Sequence, residues 1–211
     1  MVNQSLKNKK IIISAGASGI GLATAKVCLA RGAIVYLCDI DSKSLNKLSK
    51  HPLKNKKLFA YLCDASNEYQ VSDFFEKIKK KTKKIDALIN NVGVAGPTGS
   101  LEKLKSIDWE NTLHVDVNSH FYFTKRAIPL LKKSKNGSII NISSMSGIVA
   151  SHNTSAYNSS KAAVRHLSKS IALHCAKSTN LVRCNSIHPV FTRTAMVQSM
   201  IDAAPERDIE Q

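Results

Sequence analysis

Ser14-Ala15-Gly16-Ala17-Ser18-Gly19-Ile20-Gly21 is the stretch on which the reading of this chain turns. It follows the apolar run Lys10–Ser14 and leads into the helically spaced segment Leu22–Arg31. Glycines at a strand-to-helix turn let the backbone bend tightly and approach a pyrophosphate. The helix start then presents free N–H groups and a positive dipole end to that anion. A Walker loop is excluded: Gly16 and Gly21 have its spacing, but Leu22 and Ala23 stand where Lys and Ser or Thr are needed. Gly16, Ser18, Gly19, Ile20 and Gly21 are therefore candidate phosphate-binding positions.

Outward from this turn the chain alternates two periods. Short runs rich in Ile, Val and Leu recur at Lys10–Ser14, Ala33–Cys38, Leu58–Cys63, Ile85–Ile89, Ser138–Ile142 and Leu181–Ile187, as buried parallel strands do. Between them lie helically spaced segments, Leu22–Arg31, Ser42–Lys50, Glu68–Lys80, Trp109–Lys133 (one helix or two) and Thr154–Ala176. Strand and helix in alternation predict an α/β fold, a Rossmann-type doubly wound parallel sheet in the order 3-2-1-4-5-6.

Composition sets the bounds. Of 211 residues, 43% are hydrophobic and 22% charged, the balance of a folded globular chain and not of a disordered or collagen-like one. At roughly 150 residues per domain, positions 1–211 read as one dinucleotide-binding domain. No apolar run reaches the ~18 residues that span a bilayer, so no membrane is expected. The cysteines Cys28, Cys38, Cys63, Cys175 and Cys184 lack C-x-x-C spacing. Free thiols within apolar runs point to a reducing, cytoplasmic setting. The seven histidines have no metal-ligand spacing, and no metal is expected.

Asp39 ends the second run, 18 residues after Gly21. A carboxylate there accepts hydrogen bonds from adenosine ribose hydroxyls and repels a 2′-phosphate, which favours NAD over NADP. Tyr157 and Lys161 are four apart in a helical segment and share one face. An ammonium beside a phenol favours the phenolate, and such a tyrosine serves as a general acid or base. By spacing alone such a pair is usually an exposed surface pair. Ser144 follows the fifth run, so strand and helix both reach the carboxyl edge of the sheet, where ligands bind in this architecture.

Together these residues resemble the short-chain dehydrogenase/reductase family along essentially the whole chain. The resemblance rests on Gly19-Ile20-Gly21, Asn90-Asn91-Val92-Gly93, Asn141-Ile142-Ser143-Ser144 and Tyr157-Asn158-Ser159-Ser160-Lys161, in the family's order and at its separations. It implies an oxidoreductase that moves a hydride between a nicotinamide cofactor and a secondary alcohol or ketone. Tyr157 would exchange the proton, Lys161 would support Tyr157 and hold the nicotinamide ribose, and Ser144 would hydrogen-bond the substrate oxygen. Asn118, in Val115-Asp116-Val117-Asn118-Ser119, is taken as the family's fourth catalytic residue, supporting a proton relay. Asp64 would meet the adenine; Asn91 and Gly93 would line the adenosine side. Val190 and Thr192 would lie on the nicotinamide side, with Thr194 offering a further hydroxyl. The small-molecule substrate would be a hydroxysteroid, a cyclic or aliphatic alcohol, a sugar alcohol or a 3-oxoacyl compound. Ile148, Val149 and Ala150 favour the apolar ones.

Several positions depart from the family pattern. Ser14-Ala15 replaces its Thr-Gly, with Gly16 next door as the source of backbone freedom; Val92 adds bulk near the adenosine; His188-Pro189-Val190 replaces its Pro-Gly. The usual seventh strand and last helix are expected to be missing, and with them the segment that builds a homo-oligomer, dimer or tetramer, in this family. A second reading is therefore a non-catalytic cofactor- or partner-binding relative, or a fragment lacking the substrate segment.

Charge offers a third. Lys plus Arg is 31 against 15 Asp plus Glu, a net +16, with lysines clustered at Lys54–Lys57, Lys77–Lys84 and Lys132–Lys135. Such clusters serve as a solvated face, as a site for an acidic carrier or CoA ester, or as a nucleic-acid patch. Aromatic residues are only 6% and are not interleaved for base stacking, so nucleic acid is not expected.

Overall fold

The computed structural model describes residues 5–49, 57–178, 182–194 and 197–198. Six strands, β1 (Lys10–Ser14), β2 (Ile34–Asp39), β3 (Leu58–Leu62), β4 (Ala87–Asn90), β5 (Ser138–Ile142) and β6 (Arg183–Ile187), form one parallel sheet in the order β3-β2-β1-β4-β5-β6. This is the doubly wound order expected from the sequence. The helices are α1 (Gly19–Ala30), α2 (Ser42–Ser49), α3 (Glu68–Lys81), α4 (Ser106–Leu113), α5 (Ser119–Leu131) and α6 (Ser155–Ser178). Leu181, Lys54 and the stretch Met196–Ala203, in which sequence reading placed a strand end, part of a lysine cluster and the start of the substrate segment, lie outside the described residues, save 197–198.

Period-two alternation sorts the core. On β1, Ile12 faces one side of the sheet while Ile11 and Ile13 face the other. Ile12 joins Leu88, the α3 residues Phe74 and Phe75, Phe123 of α5 and Ile171 of α6. Phe123 packs 5.6 Å from Phe74 and 5.5 Å from Phe75, ring centroid to centroid. Ile11 and Ile13 meet Cys28 of α1 and Leu48 of α2 on the opposite face. Helix α3 shows why its segment is helical. Asn67 caps it by accepting from the backbone N–H groups of Tyr69 and Gln70, Val71, Phe74, Phe75 and Ile78 make one buried stripe, and Lys79–Lys81 suit its carboxyl end.

Most element ends shift by one or two residues from the sequence expectation, and two segments differ further. Helix α1 begins at Gly19 rather than Leu22, because glycines Gly19 and Gly21 supply its first turn. The segment read as one or two helices from Trp109 to Lys133 is a continuous helical run, α4 and α5 joined by a π-helical turn, His114–Asn118. All five cysteines are free and buried, and burial pushes the Cys184 thiol up to about 12, which leaves it an inert filler.

The chain crosses from β3 to β4 on the far side of β1, so a crevice opens at the carboxyl ends of β1 and β4. Phe74, fully buried at the junction of α3, α5 and the sheet, holds these layers together. Phe74→Ala is expected to cost about 3–5 kcal/mol in urea denaturation followed by circular dichroism.

Candidate active site

The glycine turn is built to leave donors free. Ala15 itself takes a left-handed backbone, φ 49°, so the freedom assigned to Gly16 resides one residue earlier. Gly16 is glycine for space: a Cβ there would lie 2.7 Å from Leu37 Cβ. At Gly21 a Cβ would lie 2.2 Å from the Ala15 carbonyl oxygen. Ser18 precedes α1 in an extended conformation and makes no side-chain cap. The N–H groups of Gly19, Ile20 and Gly21 thus have no helical acceptor, the first helical bond being Leu22 N–H to the Ser18 carbonyl at 2.9 Å. Open N–H groups beside a cradle that admits no side chain fit a dinucleotide pyrophosphate.

Neighbouring strands clamp this turn. Asn91, after β4, donates its backbone N–H to Ser14 Oγ (3.1 Å) and its side-chain amide to the Ala15 carbonyl (2.9 Å). Asp39, at the end of β2, is buried, and it accepts from the Ala17 N–H at 2.9 Å and from the Asp41 N–H at 3.1 Å. Asp39 is therefore an anchor of the turn as well as a candidate ribose acceptor. Asp64, past β3, accepts from the Ser66 N–H and hydroxyl through one oxygen. Val190 and Thr192 are exposed beyond β6. The Thr194 methyl lies 3.5 Å from where a Gly19 Cβ would sit, which brings that segment back over the turn.

Across the crevice the structure brings Tyr157 and Lys161 together. Lys161 Nζ lies 5.4 Å from the Tyr157 ring centroid. Lys161 is only 3% exposed and pairs with Asp116 at 3.3 Å. Asp116 is fully buried and also accepts from the Val94 N–H (2.8 Å) and the Ser160 hydroxyl (2.7 Å). Gly93 completes the packing: a Cβ there would lie 2.5 Å from Lys161 Nζ. Ser144 Oγ accepts from the Ser146 N–H at 3.1 Å, which leaves its proton to donate. Its carbonyl receives His188 Nδ1 at 3.0 Å, so that nitrogen carries the proton.

Asn118 does not join this cluster. Its amide nitrogen lies 3.0 Å from His114 Nδ1, in the same turn of helix. The group that reaches Lys161 is Asp116, two residues earlier, which sequence reading passed over. Also missed was His120, fully buried in α5. Burial first, and then the Lys161 ammonium, hold its imidazole down to about 3, so it is neutral at physiological pH.

The profile of the short chain dehydrogenase family matches residues 9–204. The chain belongs to that family. It is 32% identical over 203 residues to a 3-oxoacyl-[acyl-carrier-protein] reductase of Thermotoga maritima, covering 95% of this chain and 81% of that one. To an NADP-dependent (R)-specific alcohol dehydrogenase of Lentilactobacillus kefiri it is 33% identical over 196 residues, 92% of this chain and 77% of that one. Among solved structures, NAD+-bound xylitol dehydrogenase superposes with a TM-score of 0.87 at 26% identity, covering 94% of this chain and 76% of that one. The family's members are oxidoreductases that use nicotinamide cofactors on alcohol and carbonyl groups, and its relatives include users of both NAD and NADP.

Two predictions test this site. Asp116→Ala strands the Lys161 ammonium without its buried partner and is expected to cost about 3 kcal/mol or more in chemical denaturation. The second concerns pH. His120 is held well below its unfolded value, so the unfolded chain binds the extra proton between about pH 6.5 and 3. Stability is then full above the unfolded value and falls as pH drops through that window. Urea midpoints should show a loss of roughly 1–2 kcal/mol between pH 6.5 and 5, and His120→Gln should remove most of it.

Proposed function

We infer that the chain is an NAD-dependent oxidoreductase interconverting a secondary alcohol and a ketone. The reading is carried by the buried Lys161 ammonium seated beside the Tyr157 ring, with Ser144 facing the same mouth of the sheet. The nicotinamide ring of the cofactor supplies or accepts the hydride when bound. The open N–H groups of Gly19, Ile20 and Gly21 would hold its pyrophosphate, with Asp39 and Asp64 on the adenosine side, Asn91 and Gly93 lining the cleft, and Val190 and Thr192 near the nicotinamide.

In oxidation, Tyr157 would act as a phenolate and take the proton of the substrate hydroxyl, becoming the phenol. The Lys161 ammonium stabilises that phenolate until the proton arrives. The Ser144 hydroxyl donates to the substrate oxygen and holds the carbon in line for transfer. Reduction runs the same steps backwards, with Tyr157 returning the proton. Asp116 keeps the lysine in place.

NAD is favoured over NADP by the Asp39 carboxylate, since the next side chain is Ile40, 67% exposed and uncharged, and offers nothing to a 2′-phosphate. Exposed Met145, Ile148, Val149 and Phe191 form an apolar rim at the strand ends, which favours a hydroxysteroid or a cyclic or aliphatic alcohol over a sugar alcohol. The five buried free thiols support a reducing, cytoplasmic setting. Apolar Ile107 and Phe121, exposed on α4 and α5, support assembly into a homo-oligomer.

Fluorescence titration with NADH and NADPH should give saturable binding, tighter for NADH. Tighter NADPH binding would remove the argument from Asp39. With a panel of cyclic, aliphatic and steroid alcohols, Tyr157→Phe should lower turnover by about 100-fold or more while leaving NADH affinity unchanged. Turnover that survives the substitution would sink the enzymatic reading of Tyr157.

A further inference from the structure

The net charge of +16 is not spread evenly over the fold. In a parallel sheet all strands start at one edge, and here each start carries a cation: Lys9 before β1, Arg31 before β2, Lys57 before β3, Lys84 before β4, Lys135 before β5 and Arg183 opening β6. Lys83 and Lys133 stand beside two of them, and both are exposed. Among the described residues of these segments Asp86 is the one acid, and it is taken up by Lys9 Nζ, the Lys10 N–H and the Ser134 hydroxyl. At the opposite edge the segments after β2 and β3 are acidic, with Asp39, Asp41, Asp64 and Glu68, while Lys103, Lys105 and Arg193 follow β4 and β6.

This basic edge is one connected surface. Lys57 Nζ reaches the Gly32 carbonyl, the Asn8 N–H bonds that same carbonyl, and Lys10 Nζ bonds Thr82 Oγ1 at 2.7 Å. Further along, the Ile85 N–H reaches the Leu130 carbonyl and the Arg183 N–H the Gly137 carbonyl. From β3 to β6 it spans roughly 24 Å, and its depth runs from the end of α1 on one face of the sheet to the end of α5 on the other. The fully described connections there are short: 31–33, 82–86 and 132–137. No described element projects to enter a nucleic-acid groove, and none of the exposed large apolar side chains lies in these connections. Among the described residues the edge is broadly cationic, without stacking rings or an apolar wedge.

Against the sequence expectation of no membrane, we propose that this edge docks the chain, by charge alone and with no spanning segment, onto an anionic lipid surface. A plateau charged in two dimensions is complementary to a flat leaflet, whereas duplex readers place a helix or ribbon in a groove. Docked this way, the crevice at the carboxyl edge faces away from the lipid and stays open to solvent.

Sedimentation with vesicles tests the proposal on the whole chain. With phosphatidylcholine vesicles carrying roughly 30% phosphatidylserine, at about 0.1 M salt, the chain should pellet; at about 0.5 M salt it should not. Pure phosphatidylcholine should not retain it. The variant Lys83→Glu/Lys84→Glu/Lys133→Glu/Lys135→Glu should keep the parent circular dichroism and lose about a hundredfold or more in vesicle partitioning. If that variant fails to fold, Lys83→Gln/Lys133→Gln reads the same loss at about tenfold. Unchanged partitioning of a folded variant, or equal binding to neutral vesicles, overturns the proposal. So does tighter retention on duplex DNA than on anionic vesicles at the same salt, which would assign the edge to nucleic acid.

Discussion

The pairing of Lys161 with Asp116 is the interaction on which the Tyr157 side of the crevice depends. An ammonium that is 3% exposed carries a desolvation cost of several kcal/mol, and only a well-placed, fully satisfied counter-charge offsets it. Asp116 meets that condition because the Val94 N–H and the Ser160 hydroxyl fill its remaining acceptor sites. One carboxylate thereby joins the segment after β4, the π-helical turn between α4 and α5, and α6. Gly93 is the steric consequence, since any side chain would collide with the ammonium. His120 is neutral first because it is fully buried, and the Lys161 ammonium adds to the cost of a second cation there.

The cofactor side is held by a different device. Ala15 occupies a left-handed backbone that costs an L-residue roughly 1–2 kcal/mol. The strain persists because both flanks over-determine the turn. Asn91 grips it from β4 with two hydrogen bonds. On the β2 side, the Cys38 carbonyl accepts from the Gly16 N–H at 2.9 Å and Asp39 accepts from the Ala17 N–H. With the N–H groups at Gly16 and Ala17 spent on the scaffold, those at the start of α1 are left for an anion. On this side of the crevice, the inner N–H groups are used up by the fold and the outer ones stay open.

Much of this was legible in the sequence, for local reasons. The run Lys10–Ser14 is continuous in Ile because both faces of its strand are covered, and it and Ser138–Ile142 match the observed strands to the residue. The strand–glycine–helix order located the crevice. Asp116 shows where such reading ends. A π-helical turn changes the number of residues per turn, so the 3.6 period loses phase across it. Nothing in the spacing of Val115-Asp116-Val117-Asn118 announces that change. The partners of Asp116 lie in Val94, Ser160 and Lys161, and only the folded topology brings them within reach. The role of Ala15 was hidden for a related reason: a positive φ on alanine is set by its clamps, not by its own preference.

The charge distribution follows from the architecture as well. Helices α1, α3 and α5 run antiparallel to the strands, so their carboxyl ends gather at the edge where the strands begin. The negative ends of their dipoles favour lysine there, as at Lys79–Lys81 and Lys132–Lys133. Their amino ends gather at the opposite edge, where Glu68 opens α3 and the free N–H groups of α1 await an anion. A doubly wound sheet therefore imposes opposite preferences on its two ends. Dipoles of roughly half a charge per helix do not require a cation at all six strand starts. The excess at that edge exceeds what helix ends alone explain, and it is this excess that gives the fold a second working face.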